Sequence, residues 1–143
     1  MRGFSLLELV LVFAVVTIAA AVSAPVVARS IDAARARAEV GAVITFLRSA
    51  RVRAVTRGEA TEVAIDGRVH ALVVRRAGAR DGTPTTRVLS PLLQVAADRV
   101  PVTFLPQGTS SGGRLAIEAP GPRTYVVTVD ALTGRVSLGR GGP

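Results

Sequence analysis

The chain contains no cysteine, no tryptophan and no lysine, and it has one histidine. The lack of cysteine excludes disulfides and thiolate metal sites but says nothing about compartment. With His70 alone, a metal cluster would need carboxylates, and Asp66, Asp81, Asp98 and Asp130 stand singly where the sequence reads as turns. His70 itself lies between Val69 and Ala71 and reads as a mid-strand residue. No Ser/His/Asp ordering stands out, and Gly108 to Gly113 lacks the lysine and the strand-to-helix setting of a phosphate loop. Little is left for catalysis, so a structural or binding role is expected, with no enzyme activity, no metal and no cofactor. Aromatic residues make up only 3% of the chain, so any core must be built from Val, Leu, Ala and Ile.

The charge that is present is of one kind. The net charge is +8 and every basic residue is Arg. Such a surface suits nucleic acid, acidic lipid or acidic proteins. An Arg-only, Ala-rich and Val-rich composition is equally what GC-rich coding produces, so charge alone selects no partner.

At 143 residues there is room for one membrane segment and one small domain. Phe4 to Ala24 is apolar except for Ser5, Glu8, Thr17 and Ser23. As a helix this run would span roughly 30 Å, the thickness of a bilayer core. Arg2 precedes it, and Arg29, Arg35 and Arg37 follow, so flanking charge does not set orientation. Val22-Ser23-Ala24 resembles a signal-peptide cleavage site, but Pro25 would follow that cut and the basic region is only Met1-Arg2. Neither a signal peptide nor a plain anchor explains Glu8, because a carboxylate in a membrane helix calls for a partner. Cleavage after Gly3 would leave a charged amine on Phe4, and that amine could pair with Glu8 of a neighbouring molecule and fix the register of a filament.

Past Pro25 the helix is expected to resume after a kink. Val40, Val43, Ile44, Leu47, Ala50 and Ala54 recur at helical spacing, while Arg48, Arg51, Arg53 and Arg57 mostly fall off that stripe. Gly58 reads as the helix terminator. Beyond it come short strands. Thr61 to Ile65 and Arg68 to Val74 flank Asp66-Gly67, a two-residue hairpin signal. Further strands are expected over Val88 to Leu93, Val100 to Leu105, Arg114 to Glu118, Arg123 to Val129 and Arg135 to Leu138. The fold class is therefore α+β, a long kinked N-terminal helix packed on an antiparallel sheet.

The run Arg2-Gly3-Phe4-Ser5-Leu6-Leu7-Glu8-Leu9-Val10 resembles the leader of type IV pilins and type II secretion pseudopilins. The resemblance implies that a prepilin peptidase cuts after Gly3 and methylates Phe4, that Glu8 is the assembly residue, and that Pro25 is the proline common near the end of the span. Phe104 to Gly113 and Thr133-Gly134-Arg135-Val136 are similar to motifs of the H-class pseudopilins and related minor pilins. On that resemblance residues 1–3 are a cytoplasmic leader and 4–25 the transmembrane assembly helix. Residues 26–58 are the periplasmic half of the helix, and 59–143 a periplasmic β-rich domain. The implied protein is a minor pseudopilin of a type II secretion system, single-pass in the bacterial inner membrane. Its implied partners are the peptidase, other pseudopilins or pilins, an inner-membrane assembly platform, membrane lipid and secreted cargo.

The alternative is a minor type IV pilin that takes part in pilus assembly or DNA uptake. Relatives of that kind carry a Gly-Arg-x-Arg motif near the C-terminus. Here Gly134-Arg135 matches, Ser137 replaces the second arginine, and Arg140 lies three residues further on. Arg135 and Arg140 are the residues that could reach phosphates, with no aromatic nearby to stack bases.

Overall fold

The structure is a computed structural model and describes residues 5–79, 83–98, 100–120 and 123–140. Gly3, Phe4 and Asp81 lie outside the described residues. Contacts divide the chain into two compact units, Met1–Arg35 and Ala36–Pro143.

One helix, α1 (Leu6–Arg57), runs unbroken through Pro25. The proline has no N–H, so the Ala21 carbonyl loses its intrahelical partner at that turn. In the second unit α1 buries Ala36, Val40, Val43, Ile44, Leu47, Ala50 and Ala54, the apolar stripe expected from the spacing. The helix ends where Gly58 turns left-handed (φ 66°) and Glu59 donates its N–H to the Ala54 carbonyl at 3.2 Å. That is the six-to-one bond of a Schellman stop, and it satisfies a carbonyl the helix would otherwise leave open.

Among the described residues, eight strands follow in two four-stranded antiparallel sheets. The first has the order β3-β2-β1-β5, with β1 Thr61–Asp66, β2 Ala71–Arg76, β3 Thr85–Val88 and β5 Val102–Phe104. The second has the order β4-β6-β7-β8, with β4 Gln94–Ala97, β6 Gly113–Ala119, β7 Arg123–Val129 and β8 Val136–Arg140. Val63, Leu72, Val74 and Phe104 from the first sheet and Leu115, Ile117, Val127 and Val129 from the second join the α1 stripe in one core. As the scarcity of aromatics requires, Phe104 is the one ring among the fully buried large side chains of the described residues.

Two local expectations fail. The β1–β2 connection is a four-residue loop, since Asp66 pairs with Ala71, and His70 sits in that loop with a positive φ of 47° rather than in a strand. A tight Asp66-Gly67 turn would have placed Val63 opposite His70. The observed register sets Val63 against Val74 and Ile65 against Leu72, matching apolar to apolar on the core face. The segment expected as a strand over Val88 to Leu93 is instead the crossover between the sheets: β3 ends at Val88 and β4 begins at Gln94. Pro91 cannot donate to a ladder, and Leu89 and Leu93 are buried as plugs under the crossover.

Candidate functional site

Among its described residues the first unit presents an apolar helical surface and no buried core. Leu6 to Val27 is exposed throughout, and this stretch of α1 is long and apolar enough to cross a membrane. Its two hydroxyls are satisfied locally, as a bilayer demands. Thr17 Oγ1 donates to the Phe13 carbonyl at 2.7 Å, and Ser23 Oγ donates to the Ala19 carbonyl at 2.8 Å.

Ser5 caps the helix start. Its hydroxyl accepts the Leu7 N–H at 3.3 Å and its carbonyl accepts the Glu8 N–H at 3.0 Å. Glu8 is therefore the third residue of the helix, and Ser5-x-x-Glu8 has the spacing of a capping box. A carboxylate in the first turn also suits the positive end of the helix dipole. The capping-box spacing has its own signature in the sequence, Ser followed three residues later by Glu, and it stands beside the intermolecular pairing suggested by the leader.

In the second unit the two C-terminal motifs meet. The loop after Phe104 is closed by Leu105 N–H to the Thr109 carbonyl (2.9 Å) and Gly108 N–H to the Leu105 carbonyl (2.9 Å). It is stitched to the β7–β8 turn, because Ser110 donates its N–H to the Ala131 carbonyl and its hydroxyl to the Asp130 carbonyl, each at 2.9 Å. Arg51 Nε donates to the Gly108 carbonyl at 3.1 Å, and Arg48 Nη2 donates to the Val136 carbonyl at 3.2 Å. Helix, loop and turn are thus clasped by two arginines whose place off the apolar stripe points, in the sequence, only to solvent. The loop's N–H groups at Gly108, Ser110, Ser111 and Gly112 are all spent on intramolecular bonds, so it offers no cradle for an anion.

Within the turn, Asp130 Oδ1 accepts both the hydroxyl and the backbone N–H of Thr133 at 2.8 Å. The Thr133 hydroxyl bond, followed by the Thr133 N–H, holds the Asp130 carboxyl below its ordinary pKa. Arg135 is exposed just after this turn, and Arg140 ends β8. His70 Nε2 lies 2.8 Å from the Leu93 carbonyl and 3.2 Å from the Ser90 carbonyl, so the ring ties the β1–β2 loop to the crossover. Among the described residues no three His, Asp or Glu side chains come together as metal ligands.

A sequence profile of the family described as type II transport protein GspH matches residues 39–134. The chain is 31% identical over 153 aligned residues to the type II secretion system protein H of Xanthomonas campestris pv. campestris, covering 97% of this chain and 83% of that one. The minor pseudopilin EpsH from the type 2 secretion system of Vibrio cholerae has the same fold, with a TM-score of 0.59 at 20% identity over 76% of this chain and 98% of that one. The type IV minor pilin FimU of Pseudomonas aeruginosa aligns with a TM-score of 0.61 at 18% identity, over 72% of this chain and 91% of that one. At those identities the two structures speak for the fold, a long helix packed on antiparallel sheets, while the profile and the sequence relative speak for kinship. The chain belongs to the type II transport protein GspH family.

Proposed function

We propose that the chain is a minor pseudopilin of a type II protein secretion system, a structural subunit that enters a periplasmic pseudopilus and performs no chemistry of its own. The observation that carries this reading is the 31% identity to a type II secretion system protein H over 97% of the chain. In this reading a prepilin peptidase cuts between Gly3 and Phe4 and methylates Phe4. Residues 4–25 anchor the subunit in the inner membrane with the second unit in the periplasm. An assembly platform then moves the helix from lipid into a bundle with other pseudopilins, where Glu8 pairs with a neighbour's N-terminal amine. Pro25 marks the end of the anchor, and the sheets face other subunits or cargo.

The test is Glu8→Ala in cells that build the filament. Cleavage should proceed and incorporation into the filament should be lost; normal incorporation would refute the pairing. Glu8→Gln separates pairing from capping, since the amide keeps the capping-box geometry but not the charge. A minor type IV pilin that handles DNA is the second reading, and the exposed Arg135 is the feature that favours it. Full-length chain titrated with duplex DNA across a salt series decides it. Tight binding with a steep salt slope, lost in Arg135→Ala/Arg140→Ala, would move the assignment to DNA uptake.

A further inference from the structure

Where α1 passes the β7–β8 turn there is a groove of about 560 Å³, formed by Arg48, Arg51 and Val52 of the helix and by Thr133 to Val136. Two of its three arginines are held in place. Arg51 Nε donates to the Gly108 carbonyl at 3.1 Å, and Arg48 Nη2 donates to the Val136 carbonyl at 3.2 Å. A backbone carbonyl is a neutral acceptor, so each guanidinium keeps its full charge and has further N–H groups to offer. Arg135 is exposed beside them.

Among the described residues none of these three arginines makes an ion pair. Arg75, Arg76 and Arg87 stand in contrast, since they meet Glu62 at 3.3 Å, Glu59 at 3.5 Å and Glu39 at 3.5 Å. The turn has an acid of its own, Asp130, but its Oδ1 accepts the hydroxyl and the N–H of Thr133, each at 2.8 Å. Between the charges the groove is aliphatic. Val52 is 56% exposed on the helix, and Leu132, the residue before Thr133, is 83% exposed.

We propose that this groove binds an acidic segment of a partner protein, whose carboxylates meet Arg48, Arg51 and Arg135 while an aliphatic residue of the segment packs on Val52. Guanidinium forks match the planar carboxylate, and two of these are already oriented by the bonds that clasp helix, loop and turn, so little ordering opposes binding. A concavity of this size takes a few side chains. Duplex DNA could only lie across its rim, and no aromatic lines it to stack a base. A second copy of the chain is a poor occupant, because each carries a net charge of +8. The inference concerns the second unit alone, so it depends neither on processing nor on the membrane anchor.

The test titrates the full-length chain, in a nonionic detergent, into a short fluorescein-labelled peptide of glutamates with interspersed leucines, read by fluorescence anisotropy. A peptide with glutamine in place of glutamate reports any uptake by the micelle, and a labelled DNA duplex is run in parallel. Arg135→Glu and Val52→Glu both fall at exposed positions, so neither disturbs the Arg48 and Arg51 bonds. Arg68→Glu, at an exposed position in the β1–β2 loop outside the groove, makes the same change in net charge as Arg135→Glu. The proposal expects the acidic peptide to bind and the glutamine peptide not to. Arg135→Glu and Val52→Glu should each weaken binding about tenfold or more, what one charge-assisted bond is worth, and Arg68→Glu should leave it unchanged. No binding of the acidic peptide overturns the proposal. So does equal weakening by Arg68→Glu, which would make the attraction one of net charge. Duplex DNA bound more tightly than the peptide, and lost in the same two groove variants, also overturns it and hands the groove to nucleic acid.

Discussion

Substituting Gly134 by alanine tests the clasp between helix, loop and turn. Gly134 has a φ of 61°, and a Cβ there would clash with the Gly108 carbonyl oxygen and lie 2.9 Å from Arg51 Nε. Those two atoms are acceptor and donor of the Arg51–Gly108 bond, so the methyl group would wedge into it. The left-handed backbone costs a non-glycine residue about 1 kcal/mol. Losing a bond from a charged donor costs about 2 kcal/mol more. The sum of about 3 kcal/mol corresponds to a fall in Tm on the order of 15 °C for a domain of this size. Two further glycines calibrate the result. Gly58 has a φ of 66° and no atom within 4 Å of the point where a Cβ would stand, so Gly58→Ala should cost only the backbone portion, about 1 kcal/mol. Gly41 is an exposed glycine within α1 with the same open space, so Gly41→Ala should stabilise the chain by about 0.5–1 kcal/mol. Thermal unfolding in detergent, followed by far-UV circular dichroism and by the emission of Tyr125, the chain's one tyrosine, measures all three. A Gly134→Ala variant no less stable than Gly58→Ala would refute the clasp.

Acid should weaken the β7–β8 turn through Asp130. Its folded pKa is lowered from 3.8, chiefly by the Thr133 hydroxyl, so its contribution is present above that ordinary value and is lost as pH falls through the lowered one. Thr133→Val should flatten that part of the stability–pH curve, and an unchanged curve would count against the Asp130–Thr133 bonds. The half-buried Glu39–Arg87 pair at 3.5 Å joins α1 to the edge strand β3, and Glu39→Gln should destabilise by about 1 kcal/mol. Faster amide exchange along β3 than along β6 is the accompanying sign, and equal exchange in both strands would argue that the pair holds nothing.

The helical half of the fold is legible in the sequence because periodicity is a local signal. Every residue of the stripe from Val40 to Ala54 named from spacing is buried, and Gly58 ends the helix as a glycine there should. The strands are legible where a strand stands between clear turns, as with β7. They are misplaced where a distant contact overrides the local signal. Asp66-Gly67 reads as a tight turn, but the Val63–Val74 and Ile65–Leu72 pairings outweigh it and push His70 into the loop. Leu89 and Leu93 look like strand residues because they are apolar, yet what buries them is a crossover. The two C-terminal motifs stand out in the sequence, but the reason for them does not. Arg51 bonds Gly108 across 57 residues, a separation that no window on the sequence spans. The leader is the opposite case: its residues are contiguous, and the family resemblance rests on them without any knowledge of the fold.

The proposed processing and membrane anchoring of this filament subunit are read out together by the mass and N-terminal sequence of the protein recovered from membranes that contain a prepilin peptidase. The account predicts a chain that begins at Phe4 with one methyl group on its amine, and an unprocessed chain when Gly3→Arg is introduced. A chain that still begins at Met1, or one that begins at Pro25 after signal-peptide cleavage, would contradict it.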